Sequence, residues 1–404
     1  MSAKLVGLSL AAALMMSGSA LAQDKSFLIT LTGQSMIRSD IRATSPDAVP
    51  AIKSLFKGDV KFTNFEAAVA EKGESTKKGG FFTPPEAMDA LMAFGVNLIS
   101  TSNNHSFDMG PAGLQNTLKE AKARNLVHAG TGNTLAEASA PAYLKTPNGT
   151  VALIAQASGM QKVGARATAN GPGVNEMRVF TTDGKPNEAT TELPDGSINV
   201  ADKEDSARIL SSIREAKAHA DLVIVYEHNH VLANRPFMET YANGLPERLH
   251  PDQWLIDWTH KEIDAGADII VMHGAPVLHG VQIYHGKPIF YDLGNFIYNL
   301  PPTLTTLDEP INWVSAVAYV QFKGKKLQSV TLQPIVLNNV GKGQPDIHDA
   351  EDDNQFTATR GLPSAAKGMQ ATDILKRIAD ISKPFGTKIA INADGTGTIP
   401  LGGK

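Results

Sequence analysis

The stretch GVNLISTSNNHSFDMGPAGLQNTLKEAKARN occupies residues 95–125, and its reading decides the fold. GVNLIS is a short apolar run with the composition of a buried strand, while GLQNTLKEAKARN (113–125) carries apolar residues at the three- and four-residue spacing of an amphipathic helix. Between them, TSNNHSFDMG (101–110) sets two asparagines, a histidine and an aspartate at the carboxyl end of a strand. Polar groups there are costly to keep beside a core unless they are bonded or used. Strand, polar loop and helix in that order form one unit of an α/β protein, whose ligands usually bind outside the carboxyl ends of the strands.

The same alternation runs outward in both directions. FLITLTG (27–33), VKFTNFE (60–66), VALIAQAS (151–158), DLVIVYEH (221–228), ADIIVMHG (267–274) and PIFYDLGNFIY (288–298) have strand composition. PEAMDALMAFG (85–95), KEDSARILSSIREAKAHA (203–220) and DQWLIDWTHKEIDAG (252–266) have helical periodicity, the first and last closed by Gly95 and Gly266. NWVSAVAYVQFKGKKLQSVTLQPIVL (312–337) reads as a hairpin turning at KGKK, which makes the sheets mixed rather than purely parallel. The expected fold is an α/β layered sandwich of mixed β-sheets flanked by helices, spanning residues 23–340. Residues 341–404 form a C-terminal extension packed on it, with a helix at ATDILKRIADIS (371–382). Residues 71–80 read as a solvated loop, and the Gly-, Pro- and Asn-rich stretch 165–200 as an irregular flap over a site.

Composition bounds the function. The 404 residues are 42% hydrophobic, ample for a sizeable core. A net charge of −4 supplies no basic field for nucleic acid or an anionic membrane, so neither is an expected partner. The absence of cysteine excludes disulfides, thiolate metal sites and a cysteine nucleophile. MSAKLVGLSLAAALMMSGSALAQ has the three-part design of a secretory signal segment, with cleavage expected after Ala22. Its apolar run is too short to span a bilayer comfortably, and no later segment is long and apolar enough. A periplasmic or secreted protein without a transmembrane anchor is the expectation.

Polar residues recur at the expected strand ends: Asn64 and Glu66, Asn104 and His105, Glu227, His228 and His230, then His273, with Asp292 and Asn295 in the last run. Singly, each has a structural explanation, and NNHS can be an Asx turn capping the next helix. Collectively, a carboxylate, an amide oxygen and several imidazoles on one sheet edge suit a hard-to-borderline divalent metal with positions open to water. Such an ion would lower the pKa of a water molecule enough to make it a nucleophile.

TNFEAAV (63–69), STSNNHSFDMGPAGLQNT (100–117), HAGTGNTLAEASAP (128–141), DLVIVYEHNH (221–230), DAGADIIVMHG (264–274) and VQIYHGKPIFYDLGNFIY (281–298) resemble, in order, the motifs of the CapA family. That family takes its name from poly-γ-glutamate capsule proteins. The likeness extends from about Phe27 to Leu337 and implies a calcineurin-like metallophosphoesterase fold. It implies Glu66 as a bridging carboxylate, Asn104 as an amide-oxygen ligand, His228 and His273 as imidazole ligands, and His105 as proton donor to the leaving group. Asp108, three residues after His105, is placed to orient its ring.

Two departures stand out. The family's Gly-Asp at the end of the first strand is Gly33-Gln34 here, and HGAP puts Pro276 where a second histidine would fall. Both lost positions serve the same ion of a two-metal site. One divalent ion is therefore expected (Zn, Mn, Mg and Ca not distinguished), with His230 or His279 as possible substitutes for the lost ligand. Gln34, Arg166, His230 and Asn295 are the expected substrate contacts, with Arg235 a further cation. The resulting expectation is a secreted metal-dependent hydrolase of an anionic ester, phosphoester or γ-glutamyl amide. The alternative is a non-catalytic capsule factor that binds an anionic polymer such as poly-γ-glutamate.

Overall fold

The computed structural model describes residues 25–71, 80–194, 196–302, 305–345 and 355–401. The expected signal segment at 1–22, most of the expected loop at 71–80 and residues 346–354 of the extension lie outside the described residues.

In chain order, the strands of the two main sheets begin with β1 Ser26–Met36, β2 Val60–Phe65, β3 Leu98–Ser100, β4 Val127–Ala129, β5 Ala142–Thr146 and β6 Gly149–Ser158. They continue with β7 Leu222–Asn229, β8 Ile269–His273, β9 Val281–Tyr284, β10 Lys287–Phe290, β11 Asn295–Tyr298, β12 Val314–Lys323 and β13 Lys326–Leu337. The longer helices are α1 Glu86–Phe94, α2 Gly110–Ala123, α3 Lys203–His219, α4 Gln253–Ala265 and α5 Gly368–Ser382.

The first sheet runs β13-β12-β1-β2-β3-β4, with β11 also pairing with β1. The second runs β9-β10-β8-β7-β6-β5. The first is parallel from β1 to β4 and antiparallel on its β12–β13 side, and the second has a parallel centre (β6, β7, β8 and β10) with antiparallel margins, so both sheets are mixed as expected. β12 and β13 form the expected hairpin, Lys323 opposite Lys326.

Alternation along the strands sorts the core into layers, because successive side chains of a strand point to opposite faces. Phe27, Ile29 and Leu31 of β1, Val60 and Phe62 of β2, Leu222, Ile224 and Tyr226 of β7, and Ile269 and Val271 of β8 share one buried cluster between the sheets. Val223, Val225 and Ile270, on the opposite face, pack with Ile209 and Ile213 of α3 and Trp254, Leu255 and Trp258 of α4. Ile99 packs outward against Met88, Leu91 and Phe94 of α1. Fully burying a side chain of this size contributes about 1.5–3 kcal/mol, so the sandwich holds its strands firmly in register.

The helix stops act as their sequence implies: Gly95 and Gly266 cap α1 and α4 at φ 110° and 130°, a region costly for other residues. α3 starts at Asp202, whose carboxylate accepts from the backbone N–H of Glu204 and Asp205. In the extension, Pro363–Ala365 and Gly397–Thr398 pair with β13. α5 buries Ala371, Ile374, Leu375 and Ile378 against the inter-sheet core. Among the described residues, no helix is long and apolar enough to cross a membrane.

Two expectations need correction. PIFYDLGNFIY is not one strand: Lys287–Phe290 belongs to the second sheet and Asn295–Tyr298 to the first. The chain crosses between sheets at Tyr291–Gly294, and Gly294 lies so close to Gly33 that a Cβ there would stand 2.0 Å from its carbonyl oxygen. Residues 165–200 are not a flap over the strand ends. Gly173–Val174 pairs with Thr131–Gly132 and Met177 N–H donates to Ala157 O of β6, which fastens the segment to the sandwich, while Val179–Thr181 and Asn199–Ala201 pair with each other.

Candidate functional site at the seam of the two sheets

The faces that fill the inter-sheet core turn polar at the carboxyl ends of the strands. On β2, the face carrying Val60 and Phe62 continues to Asn64 and, just past the strand, Glu66. On β7, Leu222, Ile224 and Tyr226 are followed on the same face by His228 and then His230. On β8, Ile269 and Val271 are followed by His273, which stands in register with His228. Period-two geometry thus delivers carboxylate and imidazoles from opposite sheets to one seam.

There they meet. His228 Nε2 lies 3.0 Å from Asn104 Oδ1 and 3.0 Å from His230 Nε2. Glu66 Oε1 lies 3.7 Å from His228 Nε2 and 4.0 Å from His105 Nε2. Both ring nitrogens of His273 are buried without a hydrogen-bond partner among the described residues, as are His230 Nδ1 and Gln34 Oε1. No set of three or more His, Asp or Glu side chains among the described residues stands in ready metal-ligand geometry.

The 101–109 loop holds two kinds of residue. Asn103 is structural: its Oδ1 accepts from the backbone N–H of His105, an Asx turn, and its Nδ2 donates to Phe65 O and Asn64 Oδ1. That bonding ties the loop to the end of β2 and sends Asn104 and His105 into the seam. Asp108 does not cap α2, whose capping position, just before Gly110, is held by Met109 without a side-chain bond. Instead Asp108 Oδ2 lies 2.8 Å from His105 Nδ1 and accepts from Phe81 N at 2.6 Å, while Oδ1 takes Lys162 Nζ at 2.9 Å.

Electrostatics separate the histidines into two groups. Burial resists charge on His105, but the hydrogen bond and charge of Asp108, with Glu66, outweigh it and raise its pKa. Burial and the neighbouring imidazoles push His228 well down, and burial lowers His230 and His273 to about 3. These three are neutral at physiological pH, the state in which imidazole ligates metal. Burial lifts Glu66 to about 7. Tyr226, fully buried with its own pKa raised by burial, sets its hydroxyl 3.0 Å from His228 Nδ1 and so turns Nε2 toward Asn104 and His230.

Beside the cluster lies a cavity of about 360 Å³ whose walls include Gln34, Glu66, Asn104, His105 and His230. Two expected substrate contacts are placed elsewhere. Arg166 pairs with the buried Asp205, together with Arg178 and Arg208, on the flank of α3. Asn295 spends its amide N–H groups on the carbonyls of Pro276 and Asn312 beneath the cavity floor. Arg235 pairs with Glu192 and Glu239. Of the two possible substitutes for the lost histidine, His279 is bound to the Arg248 carbonyl at 2.8 Å, whereas His230 faces His228.

Four further residues support the site: Tyr226, Phe81, Lys162 and Arg38. Tyr226 is legible in the sequence, since it lies two residues before His228 and shares its face. Phe81, Lys162 and Arg38 come from separate loops with no local pattern to mark them.

Fold and site define a two-sheet α/β sandwich with an imidazole–carboxylate–amide cluster at its strand ends. Residues 28–300 match the family described as bacterial capsule synthesis protein PGA_cap, and the chain belongs to that family. It is 29% identical to an uncharacterized protein, y4sH, of Sinorhizobium fredii, over 87% of each chain. It is 30% identical to the PGA biosynthesis protein CapA of Bacillus subtilis over 54% of this chain and 46% of that protein, about half the relative's length. Among solved structures, the NAD nucleotidase of Haemophilus influenzae aligns at TM-score 0.37 and 11% identity, over 87% of this chain and 56% of that one.

Proposed function

We propose that the protein is a hydrolase dependent on one divalent metal ion, acting on an anionic ester, phosphoester or γ-glutamyl amide outside the cytoplasm. The observation that carries this reading is the convergence of Glu66, Asn104, His228 and His230, with His273 alongside, next to a separately held His105–Asp108 pair. The donor set suits such an ion: three neutral imidazoles, an amide oxygen and a carboxylate, with buried ring nitrogens that lack another partner. A divalent ion held there would supply Lewis acidity and lower the pKa of a water molecule. Gln34 and Pro276 offer no carboxylate or imidazole for a second ion, which favours a single one.

The chain's own groups account for the proton handling. His105, charged through Asp108, carries a proton on Nε2 toward the cavity and can deliver it to a leaving group. Asp108 keeps Nδ1 protonated and the ring aimed. Tyr226 performs the equivalent orientation for His228.

The test combines metal analysis with turnover. Protein stripped with chelator and re-equilibrated with Zn, Mn, Mg or Ca should retain one ion per chain. It should hydrolyse at least one of a panel of phosphomonoesters, phosphodiesters, esters and γ-glutamyl amides. His105→Ala should abolish turnover with metal content unchanged. Two tightly held ions per chain would overturn the single-ion assignment. Family membership favours a second reading, a capsule factor that binds anionic polymer; metal-independent binding of poly-γ-glutamate without turnover of any panel member would establish it instead.

A further inference from the structure

We propose that the cavity beside the histidine cluster takes a small compound with one anionic group and an apolar or aromatic body, rather than a run of a polyanionic chain. The proposal rests on the hydrolase reading above and narrows its substrate.

The walls carry it. Apart from the cluster itself, the lining is dominated by Met36, Phe81, Phe237, Met238, Leu300 and Leu307. Arg38 lines the same cavity, with its guanidinium carbon 4.1 Å above the Phe81 ring and Nη2 donating to Gly80 O. Phe81 also neighbours His105, with ring centroids 5.6 Å apart and the rings tilted by 55°. Cation, aromatic ring and proton donor are therefore neighbours in the lining, and Glu66 Oε1 lies 4.0 Å from His105 Nε2. Such a grouping suits a ligand whose charge meets Arg38 and whose ring or alkyl body lies against the apolar lining around Met238 and Leu307. The volume, about 360 Å³, is that of a small-molecule site.

A γ-glutamyl chain fits these walls poorly. Each of its residues brings a carboxylate, and Arg38 and His105 are the only cationic side chains among the described lining residues. Further carboxylates would lose water against methionine, leucine and phenylalanine, close to Glu66, without a partner.

Calorimetric titration of the full chain with 1-naphthyl phosphate, methyl phosphate and a γ-glutamyl pentamer, in chelator and then with Mn²⁺, tests the assignment. Naphthyl phosphate should bind at least about tenfold more tightly than methyl phosphate, since ring burial alone is worth more than the ~1.4 kcal/mol of one decade. Met238→Glu, at a position 39% exposed and so tolerant of charge, should erase most of that preference. Arg38→Met should weaken both phosphates about tenfold while thermal melts stay unchanged. Pentamer binding as tight as that of naphthyl phosphate, no preference for the naphthyl ring, or no binding of naphthyl phosphate would each overturn the proposal. If one ion per chain and His105-dependent turnover persist alongside such a result, the hydrolase reading stands and only the cavity assignment fails. A naphthyl preference in a chain that binds no metal and turns nothing over would instead remove the hydrolase reading and keep the cavity's preference for an apolar body.

Discussion

Replacing Asp108 with asparagine removes one charge from the site and almost no volume. The Asp108 side chain is 1% exposed and accepts from His105 Nδ1, Phe81 N and Lys162 Nζ, three donors from three segments. An amide has one accepting end. Kept toward His105 and Phe81, the oxygen preserves two bonds and turns the NH₂ toward the Lys162 ammonium, which is 46% exposed and free to swing into water. The lysine pair is then lost at a cost of about 0–1 kcal/mol, as for other half-exposed pairs. The His105 bond falls from the charge-assisted range of ~1.5–3 kcal/mol to a neutral ~1 kcal/mol. Asp108→Asn should therefore destabilise by about 2 kcal/mol in denaturant melts.

The penalty must also depend on pH. The pKa of His105 is raised, so its charged form contributes fully below the ordinary 6.5 and is lost as pH rises through the higher folded value. That of Asp108 is lowered, so its share is present above 3.8 and lost on acidification through the lower folded value. The penalty should be largest between those limits and should shrink at about pH 9. Equal penalties at about pH 6 and pH 9, or one below about 0.5 kcal/mol, would refute the pairing of a charged His105 with Asp108. Turnover should fall with metal content unchanged, and by less than the ~10²–10⁴-fold expected for complete loss of a general acid.

Other perturbations probe the supports of the site. Tyr226→Phe removes the 3.0 Å partner of His228 Nδ1 and should cut metal affinity about 10–100-fold with thermal stability little changed; unaltered affinity by calorimetry would remove Tyr226 from the site. Asp205→Asn removes the charge of a buried carboxylate shared by Arg166, Arg178 and Arg208, and should cost about 3–5 kcal/mol in urea melts. Because the Asp205 pKa is lowered, that contribution should also fade in wild type as pH falls below 3.8. Glu262 and Glu227 are both buried around the Gln156 amide, 2.7 and 2.9 Å from its Nε2, and burial raises both pKa values. The neutral acid contributes fully below 4.5 and its contribution is lost as pH rises through the folded value, so Glu262→Gln should stabilise more at about pH 8 than at about pH 5; a gain independent of pH would contradict it.

Much of the architecture could be read locally. Alternation in DLVIVYEHNH marks a strand whose inner face ends in imidazoles, and Gly95 and Gly266 mark helix ends, because period and backbone freedom are properties of neighbouring residues. The same local reading failed at PIFYDLGNFIY, where eleven strand-like residues hide a crossing between sheets: β-propensity reports fit to a pleated surface and not which sheet supplies it. Arg166 failed for a related reason. A guanidinium is drawn to whichever carboxylate the fold brings near, and α3 brings the buried Asp205.

The sequence by itself determined the layered α/β class, the polar strand ends and the absence of Asp and His at positions 34 and 276. It also singled out the Asn104–His105 loop, since Asn103 and the following helix act within a few residues. Only the tertiary structure decided that His230, and not His279, faces His228, that Asp108 serves His105 and not the helix, and that Phe81 and Arg38 wall the cavity. Those outcomes depend on strand register and sheet-to-sheet packing between residues far apart in the chain, and pairing at that distance leaves no periodic trace in the order of the amino acids.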